Sequence, residues 1–341
     1  MEEPPEEDLS VSVIVPVKNS ARTIRDLMES LMSLSYDRDL LEVVVVDGNS
    51  TDGTRKIVEE YPVTLVNEDG RGLNAARNTG IKWSSGQIVA FTDGDCIVPP
   101  GWANAIAKNF QDPDVGFVGG SVEGYEKEGF VSTYMDETFF RVKPEFKWRM
   151  EGTSLSLLHF PAGCNMAFRR HALSKIHFFD ERIEHGFDEL YTVEKLGERG
   201  LRIVLDPEVY VYHHHRTNLR EVLKQHFNYG RGGALLILAK RASTLARWFR
   251  TYLFSSAFGI LLMLFLLASG LLLKSMLPIL LGAGLFSLSF AVLTSFYTKT
   301  AKRTRSLGKL FLYPILDMAR GVSFTLGGLT QLLKSIFGRR A

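Results

Sequence analysis

The chain has 341 residues, with 40 basic and 38 acidic side chains and a formal net charge of +2. That length holds one large domain or two ordinary ones, and charges this balanced point to no class of partner; no nucleic acid is expected as one. Two cysteines, Cys96 and Cys164, exclude a disulfide framework and fit a reducing cytosol.

Residues 1–10, "MEEPPEEDLS", read as a short disordered acidic tail. They have neither a basic start nor an apolar core, so no signal peptide is expected and the N-terminus is expected to stay unexported.

Residues 11–95 then alternate strand and helix patterns. "VSVIVP" is a β-branched run, and "ARTIRDLMESLMSL" places Ile24, Leu27, Met28, Leu31 and Met32 at helical spacing. "LEVVVVD" is apolar on both faces, as in a strand buried between helix layers. "DGTRKIVEEY" predicts a helix capped by Thr51 or Asp52. "VTLV" is a third strand, "GLNAARNTGIKWS" a third helix and "QIVAF" a fourth strand. Such alternation predicts an α/β fold with an open parallel sheet and right-handed crossovers.

Ligands of these sheets bind beyond the carboxyl ends of the strands. Standing there are Pro16, Lys18 and Asn19, then Asp47, then Asn67, Glu68 and Asp69, then Asp93 and Asp95. "VPVKNSA" follows the first strand, where a dinucleotide fold would carry G-x-G-x-x-G, and no Walker loop is present. Hydride transfer and P-loop chemistry are therefore set aside. In "TDGDC", Asp93 and Asp95 project to one side at a strand end. Two such carboxylates repel each other unless water screens them or a cation lies between them. A divalent cation would neutralise them and offer open positions to a diphosphate. An EF-hand is excluded, because Cys96 to Pro100 supply no ligands at its spacing.

The order "VSVIVPVKN", "VVVVDGNSTDGT", "GLNAARNTGI", "TDGDC" resembles the family 2 glycosyltransferases, which have the GT-A fold. The resemblance covers about residues 11–230 and implies a Rossmann-like mixed sheet. It implies that Asp93 and Asp95 hold Mg²⁺ or Mn²⁺ against the diphosphate of a nucleotide sugar, expected to be a uridine diphosphate sugar. Asp47 would contact the base, with Pro16, Lys18, Asn19, Arg77 and Asp93 around the donor. "PAGCNMAFRR" resembles the acceptor-side segment, which points to Gly163 and Asn165. "FDELYTVEKLGERG" resembles the family's Glu-Asp element, but here the pair reads Asp188-Glu189. By register with Leu196 and Gly200, Glu189 takes the place of the catalytic aspartate, with Asp188 beside it. Either carboxylate within reach of a sugar hydroxyl can deprotonate it, and both also suit an acidic helix start.

Several residues keep two readings. Arg77 contacts the nucleotide or pairs with an acidic neighbour, and Asn19 faces the ligand edge or caps the following helix. "VYVYHHHRTN" puts His213 and His215 on one face of a strand end; a histidine run is often merely solvated, but the resemblance favours His213 as an additional cation ligand. Cys96 and Cys164 read as small buried residues.

Residues 216–250 connect to the apolar region. Leu219, Val222, Leu223 and Phe227 form one face and Arg216, Arg220, Lys224 and Arg231 are basic. This suits a helix lying on the cytoplasmic leaflet, which would favour a lipid-linked acceptor, or an ordinary domain helix. Residues 252–273 and 276–297 are two uncharged stretches long enough to span a bilayer, separated by Lys274. A third apolar segment, 309–333, contains Asp317 and Arg320, spaced to pair on one helical face. It spans, re-enters or lies at the interface. Arg241, Arg247 and Arg250 before the first span and "TKTAKRTRSLGK" after the second place the N-terminal domain in the cytoplasm.

The expected protein is a multi-pass enzyme of the cell membrane, active in cell-envelope glycan biosynthesis. Residues 11–215 form its catalytic domain, 216–250 its interfacial helices and 251–341 its membrane region. It is expected to transfer a sugar with inversion to a hydroxyl of a lipid-linked or glycan acceptor. The alternatives are a polyprenyl-phosphate glycosyl synthase and, from another class, a non-catalytic membrane-tethered sensor of sugar nucleotides. A processive synthase is set aside, since "QHFNYGRG" supplies no Q-x-x-R-W.

Overall fold

The computed structural model describes residues 8–125, 129–141, 144–154 and 160–337. Most of the acidic tail, residues 1–7, lies outside these, as do Arg339 and Arg340. The chain divides into two units, and the second of them takes residues 127–141, 185–187 and 216–341.

Among the described residues, the first unit is built on a nine-stranded sheet. Its elements begin with β1 (Val11–Val17), α1 (Ile24–Met32), β2 (Leu41–Asp47), α2 (Thr54–Val58), β3 (Thr64–Asn67), α3 (Leu73–Lys82) and β4 (Ile88–Thr92). Then come β5 (Cys96–Ile97), α4 (Trp102–Asn109) and β6 (Val115–Gly124); α5 (Gly129–Glu137) follows β6 in the chain but belongs to the second unit. The first unit resumes with β7 (Met150–Gly152), β8 (Asn165–Arg169), α6 (Arg170–Lys175), α7 (Asp188–Gly197) and β9 (Arg202–His213). The strand order is β3-β2-β1-β4-β8-β6-β9-β5, with β7 also on β9.

The first four strands are parallel, as their alternation with helices predicts. β8 then enters antiparallel between β4 and β6, and β6 pairs parallel with β9, so the sheet is mixed. Both faces are covered, because its strands are apolar on both sides. Val13 and Val15 pack with Leu27 of α1 and Trp102 of α4. Ile14 packs on the opposite face with Ile81 of α3, Leu173 of α6 and Leu196 of α7. In β6 the pairing with β9 shifts register at Gly120. A side chain there would collide with the carbonyl of Val209 and the amide of Asn165, so this strand glycine marks a close backbone approach.

The expected cap of α2 is corrected: the N-cap position is Gly53, at φ 96°. Asp52, one residue earlier, still satisfies the helix start, since its carboxylate accepts from the Thr54 amide at 3.1 Å. Nor does Asn19 cap α1, whose N-cap is Thr23.

The second unit contains α5 and four long helices: α8 (Leu219–Ala239), α9 (Thr244–Leu272), α10 (Met276–Thr304) and α11 (Lys309–Phe337). α9 and α10 form a hairpin through a turn at Lys274, at φ 50°. Both are long and apolar enough to cross a membrane, and most of their surface is not covered by protein. At 1.5 Å per residue each is about 44 Å long. α8 and α11 approach closely: side chains at Gly230 and Gly327 would run into the backbone of Phe324 and Phe227. Phe187 packs on Phe249 at 4.1 Å between ring centroids, with Tyr229 and Phe324 nearby.

The pair expected within the third apolar segment forms, with Arg320 3.0 Å from Asp317. His226 of α8 joins it. Its Nδ1 donates to the Val222 carbonyl at 2.8 Å and its Nε2 accepts from Arg320 at 2.8 Å. Burial and the neighbouring guanidinium push this imidazole down to about 3, which keeps it the acceptor that Arg320 requires.

Candidate active site

The loops after β1 and β2 are stitched into one ledge. Asn19 takes a left-handed conformation (φ 54°), its amide donates to Ser50 Oγ at 2.9 Å and its Oδ1 accepts from the Thr51 amide at 2.8 Å. Asp52 accepts from the Ala21 amide at 3.0 Å. On this ledge Lys18 and Asn19 are exposed, whereas Pro16 is buried in β1 opposite Val46. Asp47 ends β2 with its side chain buried; Oδ1 accepts from the Ser50 amide at 3.1 Å and Arg55 stands 3.9 Å from Oδ2. Beside it at the end of β3, Asn67 accepts from Arg55 at 2.7 Å. Burial holds the Glu68 carboxyl above its usual range. At this edge Asp47 is buried, Glu68 half-buried, and Asn67 and Asp69 exposed.

The turn after β4 is clamped to the same ledge. Thr23 donates to the Gly94 carbonyl at 2.7 Å, and a side chain at Gly94 would come within 3.0 Å of Ser20 Oγ. The residue between the two aspartates is small because the β1–α1 loop passes this close. β5 then pairs antiparallel with the end of β9, Cys96 opposite His213, and the His214 amide donates to the Asp95 carbonyl at 2.9 Å. That pairing brings His213 Nε2 to 3.1 Å from Asp95 Oδ2. His215 follows on the same side, its Nδ1 3.3 Å from that of His213, while His214 turns away to Asp26 at 3.2 Å. Among the described residues, one ligand atom each from Asp95, Cys96 and His213 lies within 4.8 Å of the others, a spacing that suits a shared ion; Asp93 is not in this group. The carboxylate and imidazole fit a hard or borderline divalent cation such as Mg²⁺ or Mn²⁺, and the buried thiol is the softer donor.

The second cluster lies at the start of α7. The chain enters that helix through three left-handed residues, His185, Gly186 and Phe187, at φ 74°, 113° and 67°. Asp188 and Arg77 are both buried and form an ion pair. Of the two readings of Arg77, the structure makes the ion pair with an acidic neighbour. Its guanidinium lies 5.2 Å from the ring centre of Phe179 and 6.0 Å from that of Phe91. Glu189 is half-buried. Burial first, and then the adjacent Asp188 charge, push its carboxyl up to about 8, with Arg77 pulling the other way.

Gly163 meets both groups: a side chain there would come within 2.5 Å of Arg77 Nη2 and 3.9 Å of the Glu189 carboxyl carbon. The sheet register ties this cluster to the aspartate turn. Asn165 pairs with Thr92, the residue before Asp93, so Gly163 comes to the edge that carries Asp93 and Asp95. Asn165 itself is buried. Its Oδ1 accepts from Trp102 Nε1 at 2.9 Å, and its amide donates to the Ser121 and Val209 carbonyls at 2.8 and 3.1 Å.

Sequence reasoning missed how α3 holds the approach to α7. Asn74 donates to the carbonyls of Asp180 and Ile183 at 3.0 and 2.8 Å. Asn78 donates to the Phe179 carbonyl at 3.0 Å and accepts from the Phe179 amide at 3.1 Å. Asn74, Arg77 and Asn78 do share a helical face in "LNAARN", but nothing local names a partner loop a hundred residues away.

The buried pair gives a stability prediction. Replacing Arg77 by Leu leaves Asp188 charged and buried without its partner, at a cost of about 3–5 kcal/mol. The melting temperature of the variant in detergent should fall well below that of the wild type; coincident melts would remove the pair from the fold's support.

Residues 12–177 match the family model for glycosyl transferase family 2. The chain is 29% identical over 249 residues to the glycosyltransferase AglE of Haloferax volcanii, covering 70% of this chain and 79% of that protein. It is 28% identical over 235 residues to the pre-mycofactocin glycosyltransferase of Mycobacterium tuberculosis; the match covers 66% of this chain but only 47% of that protein. Among solved structures it resembles the mannosyltransferase PcManGT of Pyrobaculum calidifontis in complex with GDP-Man and Mn²⁺. There the TM-score is 0.57 at 22% identity, over 95% of this chain and 87% of that one. Residues 1–349 of S. aureus TarS in complex with UDP give 0.52 at 19% identity, over 97% and 92% of the two chains. At these identities the structural likenesses bear on the fold, which is the mixed-sheet GT-A architecture described above.

Proposed function

The chain carries a glycosyltransferase family 2 domain, and from that premise we propose that it transfers a sugar from a uridine diphosphate sugar, with inversion, to a hydroxyl of a lipid-linked or glycan acceptor at a membrane. The observation that carries this reading is the division of labour in the acidic pair. Asp188 is bound to Arg77, while Glu189 stands beside Gly163 with a raised affinity for a proton. Such a carboxylate suits a general base.

In its ionised form Glu189 takes the proton of the acceptor hydroxyl. That oxygen bonds to the anomeric carbon as the bond to the β-phosphate oxygen breaks, its electron pair leaving with the nucleoside diphosphate. One displacement from the opposite face inverts the centre. Asp47 accepts a hydrogen bond from a base N–H, and the Lys18–Asn19 ledge lines the donor side. Asn165 acts as a positioning residue, holding β8 so that Gly163 stays against Arg77. Asp93, Asp95 and His213 would hold the divalent cation, which when bound supplies Lewis-acid stabilisation of the diphosphate leaving group.

The GDP-Man complex of PcManGT and the UDP complex of TarS support a nucleoside diphosphate sugar as donor. The test is a panel of uridine and guanosine diphosphate sugars offered to the full chain in detergent, with release of nucleoside diphosphate as the readout. Turnover of a uridine diphosphate sugar is expected; a protein that neither binds nor turns over any of the panel overturns the reading in favour of another class.

The membrane part of the proposal rests on α9 and α10 and on charge. Arg241, Arg247 and Arg250 precede the first helix's apolar stretch, Lys299, Lys302 and Arg303 end the second, and the turn between them has Lys274 alone. The positive-inside rule puts the turn outside and the catalytic unit in the cytoplasm. A cysteine at position 274 should react with an impermeant maleimide on intact cells and one at position 20 should not. The opposite pattern inverts the topology.

A further inference from the structure

Residues 129–140 follow β6 in the chain but belong to the helical unit. Within that unit a buried polar face holds them. Tyr134, Glu137 and Thr138 are buried, and each bonds to a group on α10 or α11. Tyr134 and Thr138 both donate to Asp317 Oδ1, at 2.5 and 3.1 Å, and Asp317 also accepts from Tyr297. Glu137 pairs with Lys309 at 2.6 Å and accepts from Tyr313 at 2.8 Å. Arg320 donates to Tyr134 at 2.9 Å, to Thr138 at 3.1 Å and to the Phe140 carbonyl at 2.8 Å. The bonds from Tyr134, Glu137, Thr138 and the Phe140 carbonyl fix the orientation of the segment, including the backbone at its end.

Held this way, the segment leaves three large rings uncovered. Phe130, Phe139 and Phe140 are 47, 53 and 45% exposed. They are not scattered. Phe139 stacks on Phe296 at 4.3 Å and 15°, and Phe140 meets the same ring edge-on at 5.8 Å. Phe296 lies at the end of the apolar stretch of α10, and Lys299, Lys302 and Arg303 follow within two turns. Aromatic rings followed by cations are the pattern of the boundary between acyl chains and headgroups.

We infer that residues 129–140 form an additional membrane anchor, with Phe139 and Phe140 seated at the headgroup boundary of a bilayer bearing anionic lipids. The occupant follows from continuity with α10 through Phe296 and from the cations just beyond it. This rests on the reading that α9 and α10 span a membrane. An anchor of this kind is distinct from the spans: it is drawn from the middle of the catalytic sequence, and a buried ion-pair network points it outward.

The test is a nitroxide label on the full chain in phosphatidylcholine–phosphatidylglycerol vesicles, with collision rates measured against oxygen and a water-soluble nickel chelate. Labels are placed by Phe139→Cys, Phe140→Cys, Leu264→Cys in mid-α9 and Lys56→Cys on the exposed surface; the native Cys96 and Cys164 are buried. Oxygen should dominate at 264 and, less strongly, at 139 and 140, with nickel dominating at 56. If 264 reads as lipid while 139 and 140 read like 56, the anchor is overturned and the spans stand. If 139 and 140 are shielded from both reagents, protein covers them and the anchor is equally overturned. A water-like reading at 264 removes the membrane reading and this inference with it. Phe139→Trp, which keeps an aromatic ring, gives a second measure: brominated lipid should quench its added fluorescence beyond that of the wild type.

Discussion

Glu189→Gln should lower the maximal rate of transfer to a hydroxyl acceptor by roughly 10²–10⁴, with little change in donor binding. The substitution keeps size and hydrogen bonding but removes the only form of the side chain that accepts a proton. Donor binding is spared because the proposed nucleotide and cation contacts are other residues. Asp188→Asn should slow transfer less, and should instead destabilise the protein by uncoupling buried Arg77. Reversed rate effects would mean that the two carboxylates have exchanged roles. An acceptor phosphate is already ionised and needs no base, so a Glu189→Gln variant with an unimpaired rate would favour the polyprenyl-phosphate alternative.

The same residue fixes a pH dependence. Its carboxyl is pushed up to about 8 from an ordinary 4.5, and as the proposed base it would have to be ionised. Transfer by the wild type should rise with pH and level off above about 8, and this limb should be missing in Glu189→Gln. For stability the sign is set by a raised folded-state value. The contribution of Glu189 is fully present below its ordinary 4.5 and is lost as pH climbs through about 8. Melts of the wild type should weaken across that window more than those of Glu189→Gln. Parallel curves would show that Glu189 titrates normally, contrary to its placement beside Asp188.

Asp95→Asn should abolish cation-dependent binding of the donor and cut transfer by about 10³ or more, since Lewis-acid stabilisation of a leaving phosphate is worth several kcal/mol and tenfold in rate is about 1.4 kcal/mol. Asparagine fills the same space, and the backbone bond from the His214 amide to the Asp95 carbonyl is untouched, so the fold should survive. EDTA should bring the wild type down to the level of the variant and leave the variant unchanged. Calorimetric titration of a uridine diphosphate sugar, with and without Mn²⁺, separates binding from turnover. Full wild-type activity in excess EDTA, or a normal Asp95→Asn enzyme, would sink the cation reading. His213→Asn should have the same direction of effect and a smaller size, because one of the proposed ligands is neutral.

Much of this molecule can be read without coordinates, because it depends on neighbours within a few residues. The period of apolar residues marks β1 to β4 and their helices; runs without charge mark α9 and α10; and two aspartates at the end of an apolar strand mark the acidic turn after β4. Side-chain direction in a strand alternates by geometry alone, so the separation of His213 and His215 from His214 is also local. Packing decided the rest. Arg77 and Asp188 are 111 residues apart, and only their burial together shows which carboxylate is committed to an ion pair. Asn165, read as acceptor-side, has both ends of its amide engaged by Trp102, Ser121 and Val209, a choice made by the insertion of β8 antiparallel between β4 and β6. Residues 129–141 join the helical unit because Asp317 and Arg320 require buried partners and Tyr134 and Thr138 supply them. Each of these depends on what a side chain meets once the chain is folded back on itself. A buried charge or amide takes its partner from whatever the fold brings within 3 Å or so, and local pattern carries no record of that partner.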